Sequence, residues 1–357
     1  MEKLYWVDKT KTFAIILVVA AHAMIPAIRN NSVIIYNLRQ IIYMFHMPLF
    51  MVLSGYLFEL NIEKYLNKGF KSFVKNKAVR LMLPYISLSV ISYIGIGMCM
   101  KLPVLGTMLS KAGYEGRSFL TTVKEIALLS NHMDEHMWFI YTLFVIFIIE
   151  FLLHRECISK IGIAVQVIAY LFISMLNLPD ILSRVCMYTI FFTMGRLLIY
   201  KDIAVKPGIA IRIVQWIVIA VLIIGSIYFN SSDLIIRNNW FLFKFVRRVM
   251  GLSTGAVCVL TVINLFAIHR NREFKHNGCL KIICDYEYGI YLLHQPFIVS
   301  GVVGILCMFR NSLPYSYFLV ISGTIIGIII PIVIVKIIRH LSILRLLILG
   351  EITLKQK

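Results

Sequence analysis

The feature that most restricts this chain is a series of ten long apolar blocks separated by short polar segments. They run roughly 12–28, 38–58, 81–99, 136–153, 161–176, 181–199, 213–229, 240–267, 282–309 and 317–335. Most hold about 17 residues or more, which at about 1.5 Å per residue crosses the roughly 30 Å hydrocarbon core of a bilayer. Of the 357 residues, 60% are hydrophobic and only 15% are charged, against roughly 25% charged in a soluble domain. A water-facing fold cannot hide that much apolar surface. In lipid each spanning segment must satisfy its own backbone polar groups, which selects helices. The expectation is an all-α polytopic protein of ten transmembrane helices, a single domain over 1–357, in the inner or plasma membrane. The first block follows Lys3, Lys9 and Lys11, but no A-x-A cleavage site follows it, so it reads as an uncleaved span.

A formal net charge of +19 raises the question of nucleic acid, and the placement of the basic residues answers it. Lys64, Lys68, Lys71, Lys75, Lys77 and Arg80 fill one inter-block segment, and Arg270, Arg272, Lys275 and Lys281 fill another. With the amino terminus inside, the inner segments carry 23 Lys plus Arg and the outer segments carry 7. That asymmetry is the positive-inside rule, so both termini are expected in the cytoplasm and no nucleic-acid partner is expected. Seven cysteines are scattered without a C-x-x-C or a His/Cys cluster, which supports neither a disulfide framework nor a metal site.

Six basic residues, Arg39, Arg184, Arg196, Lys244, Arg247 and Arg248, fall inside or at the rim of blocks. A charge there is costly unless paired or hydrated. For Arg39, Arg184, Arg196 and Lys244 the plain reading is snorkelling to an interface; Arg247 and Arg248 lie deeper. His22 stands about 16 Å beyond Lys11 in a run of Ile, Val, Leu and Ala, close to the middle of the bilayer. It reads either as a helix-packing histidine or as a chemical group. The longest outer segment, 100–135, has an apolar stretch near 119–129 suited to the membrane surface, and ends in Asn131, His132, Asp134 and Glu135 before His136 and Trp138.

The run DKTKTFAIILVVAAH from Asp8 to His22 and the run FHMPLFMVLSGYLF from Phe45 to Phe58 resemble the acyltransferase-3 membrane proteins. Within that family they look most like the fucose 4-O-acetylase-like branch. KAVRLMLPY from Lys77, WFIYTLF from Trp138, FFTMGRLL from Phe191 and YGIYLLHQP from Tyr288 follow in the family's order. The resemblance implies transfer of an acyl group, acetyl by default, from acetyl-CoA to a hydroxyl of an exopolysaccharide or other cell-envelope glycan, or of its lipid-linked precursor. It implies no tightly bound cofactor. It maps the family's catalytic histidine onto His22 and a basic position onto Lys11, where many members have arginine. The R-x-x-R pair of the family stands here as Lys77 and Arg80.

Imidazole titrates near neutrality and can take the proton of a poor sugar nucleophile, or can itself carry the acetyl group. Both roles are open for His22. Lys11, Lys77 and Arg80 are candidates for the donor's phosphates, against the plain reading that they set topology. Trp138 is either an interfacial anchor or a cavity wall. Helical rise puts His22, His46, His294, Arg247 and Arg248 at similar depth. Isolated polar groups are expensive there, so these are expected to gather around one cavity, with Arg39 as a further candidate. A transporter or flippase of glycan intermediates is the rival, since intramembrane ionisable residues also mark transport paths.

Overall fold

The computed structural model describes residues 4–111, 116–131, 134–155, 162–176, 179–199, 209–231, 240–268, 278–309 and 312–352. Among them no strand occurs, and each of the ten apolar blocks is mostly helical over its described residues. Six helices in that set are long and apolar enough to cross a membrane, or seven if one bent pair is a single span. His132, Arg270, Arg272 and Lys275 lie outside the described residues, as do the side chains of 240–244, Lys244 among them.

The chain opens with α1 (Tyr5–Ala23), the short α2 (Pro26–Arg29) and α3 (Val33–Leu60). The apolar block 12–28 is thus shifted toward the amino terminus as a helix. Ile25 precedes Pro26 and is extended at ψ 162°, because the proline ring disfavours a helical residue before it. His22 consequently sits in the last turn of α1 rather than at its middle. Ser32 starts α3 by accepting the backbone N–H of Ile35 at 3.3 Å, a typical N-cap.

Next come α4 (Ile62–Lys68), α5 (Phe70–Lys77), a π turn over Ala78–Met82, and α6 (Leu83–Met100). The following segment holds α7 (Pro103–Lys111) and α8 (Phe119–Ala127). Phe119, Leu120 and Val123 of α8 are exposed. A 3₁₀ turn at Glu135–Met137 leads into α9 (Trp138–Arg155), then α10 (Ile163–Met175), α11 (Asp180–Leu198), α12 (Ile209–Ser231) and α13 (Trp240–Ala267). The last third comprises α14 (Cys279–Leu293), a π turn over Phe297–Gly301, α15 (Val302–Phe309), α16 (Leu313–His340) and α17 (Ser342–Leu349). The block 282–309 is therefore not one straight rod: α14 and the segment after it meet at 73°.

Helix α1 packs among α3, α13, α14 and α16. The tightest pairing joins α3 to α11. A Cβ on Gly55 would strike the Phe192 carbonyl, and one on Gly195 would strike the Val52 carbonyl. Small residues on both helices let the backbones meet, as membrane helix pairs require. The same pairing holds a buried charge network. Arg196 donates from Nε to Glu59 at 2.7 Å, donates a second bond to Glu150, and lies 3.0 Å from Nδ1 of His154. Arg196 therefore does not snorkel; it is only 8% exposed and joins α3, α9 and α11.

Candidate functional site

Helix ends, rather than helix middles, bring the chemistry together. His22 closes α1, His136 lies in the 3₁₀ turn before α9, and His294 caps α14 at the bend. Their ring centroids form a triangle: His22 to His294 is 5.1 Å, His136 to His294 is 5.1 Å, and His22 to His136 is 6.5 Å. Irregular backbone at membrane depth is tolerated where it is buried in protein or lines a wet space.

Carbonyl partners fix the tautomers of His294 and His46. His294 Nδ1 lies 2.8 Å from the Tyr291 carbonyl and 3.1 Å from that of Ile290. Carbonyls only accept, so Nδ1 carries the proton and Nε2 presents a lone pair. That Nε2 is buried and has no hydrogen-bond partner among the described residues. His136 Nδ1 stands 2.6 Å from Oδ1 of Asp134, a charge contact without hydrogen-bond alignment, and its Nε2 is buried with no hydrogen-bond partner among the described residues. His46 Nδ1 donates to the Ile42 carbonyl at 2.7 Å.

Asp134 is held in place from several sides. Its other carboxylate oxygen accepts the Ser92 hydroxyl at 2.9 Å. Its backbone N–H donates to Asn131, whose amide in turn donates to Ser89 at 2.7 Å. The Tyr291 hydroxyl donates to the His136 carbonyl at 2.6 Å. Two serines of α6 and a tyrosine of α14 thus fix the turn that carries the Asp134–His136 pair.

A face of α3 approaches from the other side. The Arg39 guanidinium lies 4.0 Å from the Tyr43 ring centre, Tyr43 is 6.2 Å from the His22 ring, and His46 is 5.0 Å from Tyr43. Arg39 and His46 are thereby linked to His22 through one tyrosine. The two deep arginines go elsewhere. Arg248 lies beside Tyr170 of α10, and Arg247 is exposed. Trp138 stacks near Tyr188 at 5.1 Å and under Arg184 at 5.3 Å.

The basic residues form a separate group. Lys11 pairs with Glu287 at 3.2 Å. Arg80 donates to the Leu349 carbonyl at 2.8 Å, lies 3.5 Å from Glu351, and covers the Tyr288 ring at 4.1 Å. Glu287 and Tyr288 are neighbours, so one turn of α14 holds Lys11 on one side and Arg80 on the other. Lys77 sits over the Phe147 ring at 3.6 Å, with Tyr65 and Phe73 beyond. From this basic end, α1 and α14 run in the same direction to His22 and His294.

The sequence pattern alone does not mark Asp134, His136 or Tyr43 as site residues. The signal for His136 was the polar run Asn131 to Glu135 directly before WFIYTLF, which hydropathy alone reads as a loop. Among the described residues no group of three or more His, Cys, Asp or Glu is arranged to hold a metal ion.

A family model described as an acyltransferase domain matches residues 4–337. No curated protein and no solved structure shows significant similarity to the chain.

Proposed function

The chain belongs to the acyltransferase-3 family of membrane enzymes, and from that premise we propose that it moves acetyl from acetyl-CoA to a glycan hydroxyl, with His22 at the reacting centre. The acceptor is an exopolysaccharide or other envelope glycan, or its lipid-linked precursor, in keeping with the fucose 4-O-acetylase-like resemblance. The observation that carries this reading is the convergence of His22 on His136 and His294. Two of these rings hold a buried Nε2 with no hydrogen-bond partner among the described residues, an arrangement suited to acid–base and nucleophilic work.

The donor enters from the basic end. Lys11 lies eleven residues before His22 on α1, and Arg80 covers Tyr288, six residues before His294; a donor with phosphates at one end and a thioester at the other matches that order of charge and imidazole. The inner charge excess supports putting this end in the cytoplasm, with ten spans and both termini inside. The histidine end then faces the acceptor side.

The test is CoA release. Purified protein given acetyl-CoA and an envelope glycan fraction is expected to release free CoA and to acetylate the glycan, read by mass spectrometry. His22→Ala should lower that release by on the order of 100-fold while leaving the protein in the membrane. Activity within a few fold of the parent would remove His22 from the reacting centre.

A further inference from the structure

The four histidines near the site are not chemically equivalent, and the difference assigns them tasks. His46 and His294 give their Nδ1 protons to helix carbonyls, which fixes a tautomer but offers no countercharge. His136 alone among the described site histidines has Nδ1 against a carboxylate, Asp134 at 2.6 Å. A carboxylate there stabilises the imidazolium that forms when Nε2 accepts a proton. Asp134 is itself 2% exposed and anchored by Ser92 and Asn131, so its placement does not depend on substrate.

We propose that Asp134–His136 is the general base for the acceptor hydroxyl and that His22 carries the acetyl group. This rests on the acyl-transfer reading above. His136 is the catalytic residue in this assignment, and Asp134 is a positioning residue that acts through it. Both imidazoles stand at the end of α1 away from Lys11, His22 in its last turn and His136 in the turn before α9. The sequence charge pattern places the 100–135 segment, and hence the turn holding His136, on the acceptor side, while α1 runs to His22 from the donor side. The 6.5 Å between their centroids leaves room for one oxygen at a hydrogen-bond distance of about 2.8 Å from His136, beside an acetyl on His22.

In the first step a ring nitrogen of His22 attacks the thioester carbonyl. The C–N bond forms, the C–S bond breaks, and the sulfur leaves with its electron pair and takes a proton from donor-side water. In the second step the acceptor oxygen attacks the acetyl carbon while its proton passes to Nε2 of His136. The C–N bond breaks and its pair returns to His22. His136 then gives the proton to acceptor-side water, so one proton is taken up on the donor side for each one released on the other.

Hydroxylamine separates the two roles, because its nitrogen attacks an acyl group without first losing a proton. The purified chain is assayed for CoA release from acetyl-CoA with hydroxylamine, above the protein-free rate, and cells carrying the same variants are assayed for glycan acetylation by mass spectrometry. His136→Gln should lower glycan acetylation about 100-fold, and its loss with hydroxylamine should be at least tenfold smaller. Asp134→Asn, which keeps size and hydrogen bonding, should show the same imbalance with a smaller loss. His22→Ala should lose both reactions equally. Equal losses for both acceptors in His136→Gln and Asp134→Asn, in protein that melts like the parent, would overturn the assignment. A parent chain active on neither acceptor would remove the acyl-transfer reading itself, and this inference with it.

Discussion

His22 and His294 stand with ring centroids 5.1 Å apart and planes inclined at 63°, although most of the chain separates them in sequence. The buried Nε2 of His294 has no hydrogen-bond partner among the described residues, and leaving such a group unsatisfied costs about 1–3 kcal/mol. Stability does not explain its presence. His294→Leu is therefore expected to melt within a few degrees of the parent and to lose at least tenfold in CoA release. A large drop in melting temperature with activity intact would show that the residue is only structural.

Arg80 and Lys11 flank one turn of α14, six to seven residues before His294. Arg80→Gln should raise the KM for acetyl-CoA by roughly tenfold and change kcat less, since it removes binding that the ground and transition states share. A loss confined to kcat would contradict a phosphate-binding role.

Arg196 joins Glu59 and Glu150 in a buried network. Removing one partner of a buried ion pair costs about 3–5 kcal/mol, because an uncompensated charge remains. Arg196→Met alone should sharply reduce the folded, monodisperse fraction in detergent. Combining it with Glu59→Leu and Glu150→Leu should recover most of that loss, and failure of the triple variant to recover would refute the electrostatic account.

Glu351 lies beyond the last helix, bonded to Arg339 at 3.2 Å and close to Arg80. Burial alone would raise its carboxyl, but the two arginines hold it below its ordinary value. A carboxylate lowered in the folded state adds stability above its unfolded value, roughly 4.3, and that contribution is lost as pH falls through the folded value. The parent should melt above Glu351→Gln at neutral pH, and the difference should close below about pH 4. A gap independent of pH would mean that packing, not charge, ties the C-terminal segment.

Hydropathy located the helical blocks because lipid leaves the backbone no other way to satisfy its polar groups. It located their ends poorly. Polar Asp8, Lys9 and Lys11 lie within α1, since helical hydrogen bonding continues past the apolar stretch. The bend after Leu293 sits inside a block whose composition is apolar throughout, so only Pro296 hinted at it. Depth arithmetic linked His22 to His294 because both follow regular helix. It could not reach His136, whose position depends on a polar turn held by Ser89, Ser92 and Tyr291. It also grouped Arg248 with the histidines, whereas rotation about α13 turns that side chain to Tyr170. Depth fixes a layer and leaves azimuth open.

The triangle of His22, His136 and His294 draws on the first, middle and last thirds of the chain, and that has a consequence for biosynthesis. No nascent chain still short of α14 contains the third corner, so a partly translated product in the bilayer is expected to leave the cellular acetyl-CoA pool untouched. CoA release by a chain truncated after α13 should equal the protein-free blank, and the enzyme would then switch on only as its final helices insert.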